Sequence, residues 1–209
     1  MTTDASPAGP VAPAGGAEPD SAPPALHSAM VLRFYGGALA LAVGLSALGE
    51  GGVARLFRPT STSGTAALAE ALGLAAALLL GSWLSERYWP AMRRLTAELQ
   101  TVIGPVDARR ALLWGLCSGV AEEALFRGPV QDLLGWLPTA IGFGLLHGGL
   151  SRRLIAWSCF ALVAGVGFGL LTVRHGSVWP AALAHIVVNA VNLRRLGARS
   201  SSKGQESAP

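Results

Sequence analysis

The sequence predicts an all-α fold, a polytopic membrane bundle of about six transmembrane helices with one interfacial amphipathic helix. Only 13% of the 209 residues are charged and 51% are hydrophobic, whereas soluble proteins carry about 25% charged residues. Three stretches, 31–48, 66–84 and 154–173, hold at most one charge each and approach the ~20 residues that cross a hydrocarbon core. We therefore expect a multi-pass integral membrane protein, and its Ala-, Gly- and Arg-rich composition suggests a bacterial plasma membrane.

Six apolar segments follow one another along the chain and are predicted to be membrane helices: 29–49, 66–85, 108–127, 137–150, 154–173 and 178–193. The stretch 88–103 differs, because apolar residues recur there at helical spacing with charged residues between them. This pattern is typical of an amphipathic helix at the membrane surface, with a plain solvated connection as the alternative. The apolar positions are Trp89, Met92, Leu95, Leu99 and Val102.

Both ends of the chain have the composition of disordered tails. Residues 1–25 are rich in Pro, Ala, Gly and Ser and cannot bury a core, and residues 198–209 are expected to form a second tail. Between them, residues 26–197 are predicted to form one membrane-embedded domain, whose functional motifs fall within 108–193. The cysteines, Cys117 and Cys159, lie in apolar segments and are interpreted as small buried hydrophobic residues.

Two adjacent glutamates, Glu122 and Glu123, lie inside an apolar segment and are followed by Arg127. A charge at the bilayer centre costs roughly 2.5–3.5 kcal/mol, so such a pair implies partners or a function. On a helix, Glu123 and Arg127 are four residues apart and share a face. Glu122 points about 100° away and has no partner on its own helix.

Two histidines occupy two other apolar segments, each with a companion one helical turn away. Phe143 precedes His147 by four residues, and Asn189 follows His185 by four, with Asn192 on the same stripe. A single such histidine is usually a hydrogen-bonded core residue. Because polar stripes facing lipid would be unsatisfied, however, we expect these stripes to converge with Glu122 on one interior cavity.

These side chains provide the groups that peptide hydrolysis requires. Glu122 with His147 can position and deprotonate a water, and His185 with Asn189 can donate hydrogen bonds to the developing oxyanion. The same chemistry allows a second possibility, in which Glu122, His147 and His185 bind one divalent metal such as zinc and leave a position open for water. An intact His-Glu-x-x-His motif, typical of zinc proteases, is absent from the sequence.

Three motifs resemble the signature of the CPBP intramembrane proteases, which include the CAAX prenyl endopeptidases and bacterial proteins grouped with bacteriocin-processing and immunity proteins. The motifs are Glu122-Glu123-x-x-x-Arg127, Phe143-x-x-x-His147 and His185-x-x-x-Asn189.

The resemblance implies proteolysis within or at the membrane, with Glu122 as the base that activates water. It also implies that His147 assists this base or binds metal, and that His185 and Asn189 stabilise the oxyanion. Both a metalloprotease mechanism and a metal-free glutamate mechanism are compatible with the family. The remaining motif residues are expected to shape the site rather than react: Glu123, Arg127 and Phe143.

Two other functions compete with an endopeptidase on the sequence alone. A non-catalytic scaffold or bacteriocin-immunity protein would keep the motifs to bind a partner, and a proton-coupled transporter also uses buried carboxylates and histidines. The net charge of +4 does not indicate nucleic-acid binding, since the arginines lie mostly between or beyond the apolar segments, as membrane topology requires. The expected partners are membrane lipid and a membrane-associated peptide or protein substrate.

Overall fold

A computed structural model describes residues 27–49 and 52–206, with side chains described up to residue 198. Within these residues the chain is helical and contains no strand, which confirms the all-α prediction. The predicted N-terminal tail, 1–25, lies outside the described residues. The α-helices are α1 Ser28–Leu48, α2 Gly64–Tyr88, α3 Pro90–Ile103, α4 Ala108–Leu125, α5 Gln131–Leu134, α6 Trp136–Gly148, α7 Ile155–His175 and α8 Trp179–Glu206.

Each of the six predicted apolar segments corresponds to one helix, in order α1, α2, α4, α6, α7 and α8. In the described part of the chain, three of these helices, α1, α2 and α7, are long and apolar enough to cross a membrane. Helix α6 has only 13 residues, and α4 carries two arginines and two glutamates. Spanning by α4, α6 and α8 therefore stays a prediction.

The predicted amphipathic helix is present as α3, with Pro90 at its start, a position where the missing N–H of proline is harmless. Its buried residues, Met92 and Leu95, pack against Ala156 of α7. The apolar face of α3 therefore covers the bundle at the end where α7 begins.

The predicted C-terminal tail differs from the structure at its start, because α8 continues to Glu206. The stretch 198–206 contains no proline, so every backbone N–H is available to extend the hydrogen-bond pattern of the helix. Residues 207–209 lie outside the described residues.

Helix α4 begins at Asp107, whose carboxylate accepts a 2.8 Å hydrogen bond from the backbone N–H of Arg110. This bond, helped by the charge of Arg110, holds the pKa of the Asp107 carboxyl below its usual value. Because the pKa is lowered on folding, the stabilising effect is present above the unfolded-state pKa and is lost as the pH falls through the folded-state pKa.

Helices α4 and α8 make the most extensive contact between two helices in the described structure, and glycine makes it possible. A Cβ placed on Gly119 would lie 2.6 Å from Ile186 Cγ1 and 2.8 Å from the Ile186 backbone nitrogen, and one on Gly115 would lie 2.9 Å from the Ala190 nitrogen. Small residues four apart let membrane helices approach closely. The helix that carries the glutamates is thereby held against the helix that carries His185.

The contact between α6 and α7 is built in the same way. A Cβ on Gly144 would lie 2.9 Å from Leu162 Cβ, and one on Gly148 would lie 2.7 Å from Leu154 Cβ. This pairing fixes the depth of His147 in the bundle, since Gly144 and Gly148 flank it on α6.

Replacing Gly119 with Ala is expected to destabilise the protein, because the new methyl group meets the Ile186 backbone and forces α4 away from α8. Overpacking of this kind costs about 1–3 kcal/mol, and thermal unfolding in neutral detergent measures it. Gly73→Ala is the matched control, since a Cβ there meets no atom within 4 Å. Equal melting temperatures for the two variants would show that the glycine does not set the helix separation.

Candidate active site

A fully buried ion pair forms the base of the candidate site. Glu123 is 0% exposed and Arg127 is 1% exposed, and Arg127 Nε donates to Glu123 Oε2 at 2.8 Å. The spacing of four residues predicts this pair. The second oxygen of Glu123 accepts a 2.7 Å hydrogen bond from His185 Nδ1, so the carboxylate links α4 to α8.

The helix that carries the glutamates ends immediately after them. A π-helical turn, Phe126–Val130, follows α4, with the backbone at Gly128 leaving helical geometry at φ −83° and ψ −115°. Pro129 lacks the N–H that would continue the α-helical pattern. Such turns are frequent at functional sites, and this one directs the Arg127 side chain back onto Glu123.

Glu122 is placed differently from its neighbour. Its Oε2 atom is buried and has no hydrogen-bond partner among the described residues. The nearest charged or basic group to this oxygen is His147 Nε2, at 3.7 Å, which is longer than a direct N–H···O bond. Glu122 and His147, from α4 and α6, thus face each other across a gap.

The other nitrogen of His147 fixes the orientation of its ring. Nδ1 lies 2.7 Å from the backbone oxygen of Phe143, and since a carbonyl oxygen only accepts, Nδ1 carries the proton. A neutral ring therefore presents the lone pair of Nε2 to Glu122. With a neutral ring, two hydrogen-bond acceptors face the same space: Glu122 Oε2 and His147 Nε2.

His185 and Asn189 lie together on α8, as their spacing predicts. Asn189 Nδ2 lies 2.9 Å from His185 Nε2 and donates to Ser118 Oγ at 2.8 Å. The amide nitrogen therefore holds Ser118 and His185 at once. The N–H groups of His185 and Asn189, which the sequence analysis assigns to the oxyanion, are therefore hydrogen-bonded to protein groups in this structure.

Aromatic rings enclose the polar groups. Phe143 is buried at the centre, with its ring centroid 4.4 Å from that of His147, 6.0 Å from that of His185 and 5.3 Å from the Arg127 guanidinium. Phe168 of α7 stacks on His185 at 5.0 Å and an interplanar angle of 15°. These rings surround the charges with low-dielectric material, which strengthens their mutual interactions.

The structure adds residues that the sequence analysis missed. Tyr35 of α1 lies near Glu122 and Ser118, and Ser118 lies one helical turn before Glu122 on α4. Two signals point to them: Tyr35 is the one tyrosine in an apolar segment, and Ser118 shares the Glu122 face by its i, i+4 spacing. Phe168 carries no comparable signal, since one phenylalanine in an apolar helix is ordinary.

Asn192 does not join the site. Its Oδ1 accepts a 3.5 Å hydrogen bond from Ser82 of α2, and it lines a separate cavity with Leu95 of α3 and Trp157 of α7. The stripe of α8 therefore divides: His185 and Asn189 face the glutamates, and Asn192 faces α2 and α3.

The proposed metal ligands Glu122, His147 and His185 do not fit a three-ligand metal site. Both ring nitrogens of His185 are engaged, one by Glu123 and one by Asn189. Of the three proposed ligands, only Glu122 and His147 therefore have an atom free to bind a metal. Zinc requires three protein ligands in catalytic sites. Among the described residues, no group of three or more His, Cys, Asp or Glu side chains is arranged to hold a metal ion.

Comparison with known proteins agrees with the position of the motifs. Residues 106–191 match the family described as "Type II CAAX prenyl endopeptidase Rce1-like", a match that covers less than half of the chain. Searches of the curated proteins and of the solved structures found no match. The matched segment contains all three motifs and is thus similar to the Rce1-like type II CAAX prenyl endopeptidases, which confirms the resemblance to the CPBP intramembrane proteases.

Proposed function

We propose that this protein is an intramembrane endopeptidase that hydrolyses peptide bonds of membrane-associated, CAAX-like protein or peptide substrates. The observation that carries the proposal is the unpartnered, buried Oε2 of Glu122, which faces His147 Nε2 at 3.7 Å. The family match at residues 106–191 supports the same class of reaction. The proposal describes a multi-pass protein of a bacterial plasma membrane, with membrane lipid and the substrate as partners.

A water molecule that enters the site can contact Glu122 Oε2 and His147 Nε2 from one side, since the 3.7 Å between these atoms is too short for a water to lie directly between them. Both atoms that face it are acceptors, and a water can donate one hydrogen to each. Water-mediated hydrogen bonds of this kind are common in active sites. A water held by two acceptors keeps its lone pairs free and turned away from them, towards an approaching carbonyl carbon.

The reaction then requires only groups on this chain. Glu122 removes one proton from the water as the water oxygen bonds to the carbonyl carbon, which gives a tetrahedral intermediate with a negative oxygen. The protonated Glu122 delivers that proton to the amide nitrogen as the C–N bond breaks. The products are a carboxylic acid and an amine, and Glu122 returns to its starting state.

The oxyanion is assigned to Asn189 and His185. The two N–H groups of the Asn189 amide are shared between Ser118 and His185, so a small rotation of that amide turns a donor towards a substrate oxygen. Glu123 keeps His185 fixed in place through Nδ1. Stabilisation by one such donor is worth about 10²- to 10³-fold in rate.

Glu122→Gln is expected to reduce cleavage of a membrane-anchored reporter peptide by about 10²- to 10⁴-fold, the usual contribution of a general base. The amide keeps the shape of the side chain, so the melting temperature should change little. Glu98→Gln on α3 is the matched control, because Glu98 belongs to none of the motifs and forms an exposed ion pair with Arg153. Undiminished cleavage by Glu122→Gln in proteoliposomes would rule out the mechanism and favour a scaffold function.

Tyr35→Phe is expected to lower the cleavage rate constant by about tenfold, since it removes a hydroxyl that lies near the Glu122 carboxylate and leaves the ring in place. The matched control is Tyr88→Phe, which changes the only other tyrosine of the chain at an exposed position. The measurement is single-turnover cleavage at saturating substrate. Equal rates for the two variants would remove Tyr35 from the site.

Purified protein is expected to retain full cleavage activity after dialysis against a chelator, because the ligand atoms of His185 are engaged by protein groups. Elemental analysis should find substoichiometric zinc in the wild-type protein. One zinc per chain that is lost in both Glu122→Gln and His147→Ala would instead establish the metal mechanism.

A further inference from the structure

A second polar cavity lies at the end of the bundle where α7 ends and α8 begins. Its volume is about 370 Å³, and it is formed by the 3₁₀ turn Val53–Phe57, the start of α5 and the α7–α8 connection. The contributing side chains include three arginines, Arg55, Arg58 and Arg127, and one acid, Asp132. Asp132 balances Arg55, and Glu123, just outside the lining, balances Arg127. Of the charges in the lining, that of Arg58 is therefore the one left uncompensated among the described residues.

The arginines differ in how far their charges are neutralised. Arg55 forms an ion pair with Asp132, whereas Arg58 forms no ion pair within the described part of the chain. Arg127 binds Glu123 through Nε alone. Both Nη atoms of Arg127 are buried without a hydrogen-bond partner among the described residues.

Buried guanidinium nitrogens without acceptors are costly, since hydrogen bonds to charged groups contribute about 1.5–3 kcal/mol each. The neighbouring Gln131 does not supply the missing acceptor, because its own Oε1 is also buried and unpartnered. Its amide is held by one long bond, 3.3 Å from Nε2 to the Gly169 oxygen. Gln131 and Arg127 both line the cavity.

We propose that this cavity binds a phosphate group, and that Arg58, Arg55 and the Nη atoms of Arg127 hold it. Arginine binds phosphate oxygens through several N–H groups in a fixed geometry, and the uncompensated charge of Arg58 attracts the negative charge of the phosphate. The phosphate comes either from a free ion or from the headgroup of a membrane phospholipid, and the cavity presents the same donors to both.

The site adjoins the peptidase motifs through one residue. Arg127 presents Nε to Glu123, and Glu123 in turn holds His185, while the opposite edge of the guanidinium faces the cavity. A bound phosphate therefore fixes Arg127 from the second side. The anion site stands independently of the proposed peptidase activity, because binding is measured without substrate.

The test measures the melting temperature of the full chain in neutral detergent as sodium phosphate is increased at constant ionic strength. At about five times the Kd, the melting temperature should have risen by about 2–4 °C, and it should continue to rise with the logarithm of the phosphate concentration. Arg58→Gln should raise the Kd about tenfold. Arg174→Gln is the matched control, because Arg174 lies at the same end of the bundle but does not line the cavity, and it should respond like the wild type.

A second arm identifies the source of the phosphate. The wild type and the same two variants are placed in phosphatidylcholine nanodiscs with and without phosphatidic acid. Stabilisation by phosphatidic acid alone, lost in Arg58→Gln and kept in Arg174→Gln, assigns the site to a lipid headgroup, and the same pattern with the free ion assigns it to soluble phosphate. Absence of any rise in melting temperature with phosphate, or an identical response of both variants, overturns the proposal and leaves water as the partner of Arg127.

Discussion

The ion network of Glu123, Arg127 and His185 is the interaction on which the rest of the site depends. Two charged side chains at the level of the bundle core have lost all contact with solvent, and removing one partner from such a pair typically costs 3–5 kcal/mol. The network joins α4 to α8 and fixes the ring of His185. It also distinguishes the two glutamates. Both oxygens of Glu123 accept hydrogen bonds, from Arg127 and His185, whereas Glu122 Oε2 has no hydrogen-bond partner among the described residues.

That network can form only because α4 and α8 approach more closely than ordinary side chains permit. Gly115 and Gly119 bring the α4 backbone against Ile186 and Ala190, and the carboxylate of Glu123 then reaches His185. The polar character of α4 and α8 follows from this arrangement, since each presents its charged or amide groups to the other rather than to lipid. Apolar helices such as α7 (mean hydropathy 1.9) surround them.

The sequence predicts the helices and the i, i+4 pairings within the motifs, because apolar runs and i, i+4 spacings are local properties. It predicts the Glu123–Arg127 pair for the same reason. It does not predict that His185 turns to Glu123 rather than to Glu122, since that choice depends on the rotation of α8 against α4. The contacts of Tyr35 and Asn192 are also non-local. They depend on which helix packs opposite each residue, and the spacing of residues along one helix does not give that information.

Arg127 occupies a position that serves two sides of the molecule. A guanidinium is planar and has five donor hydrogens, so binding to Glu123 through Nε leaves the Nη edge available in another direction. A lysine at this position would neutralise Glu123 but could not extend to the cavity between α5 and α7 with a second rigid edge. The π-helical turn Phe126–Val130 carries Arg127, and Arg127 also lines the proposed phosphate cavity. Arg127 therefore connects the lining of the cavity to Glu123, and Glu123 holds His185.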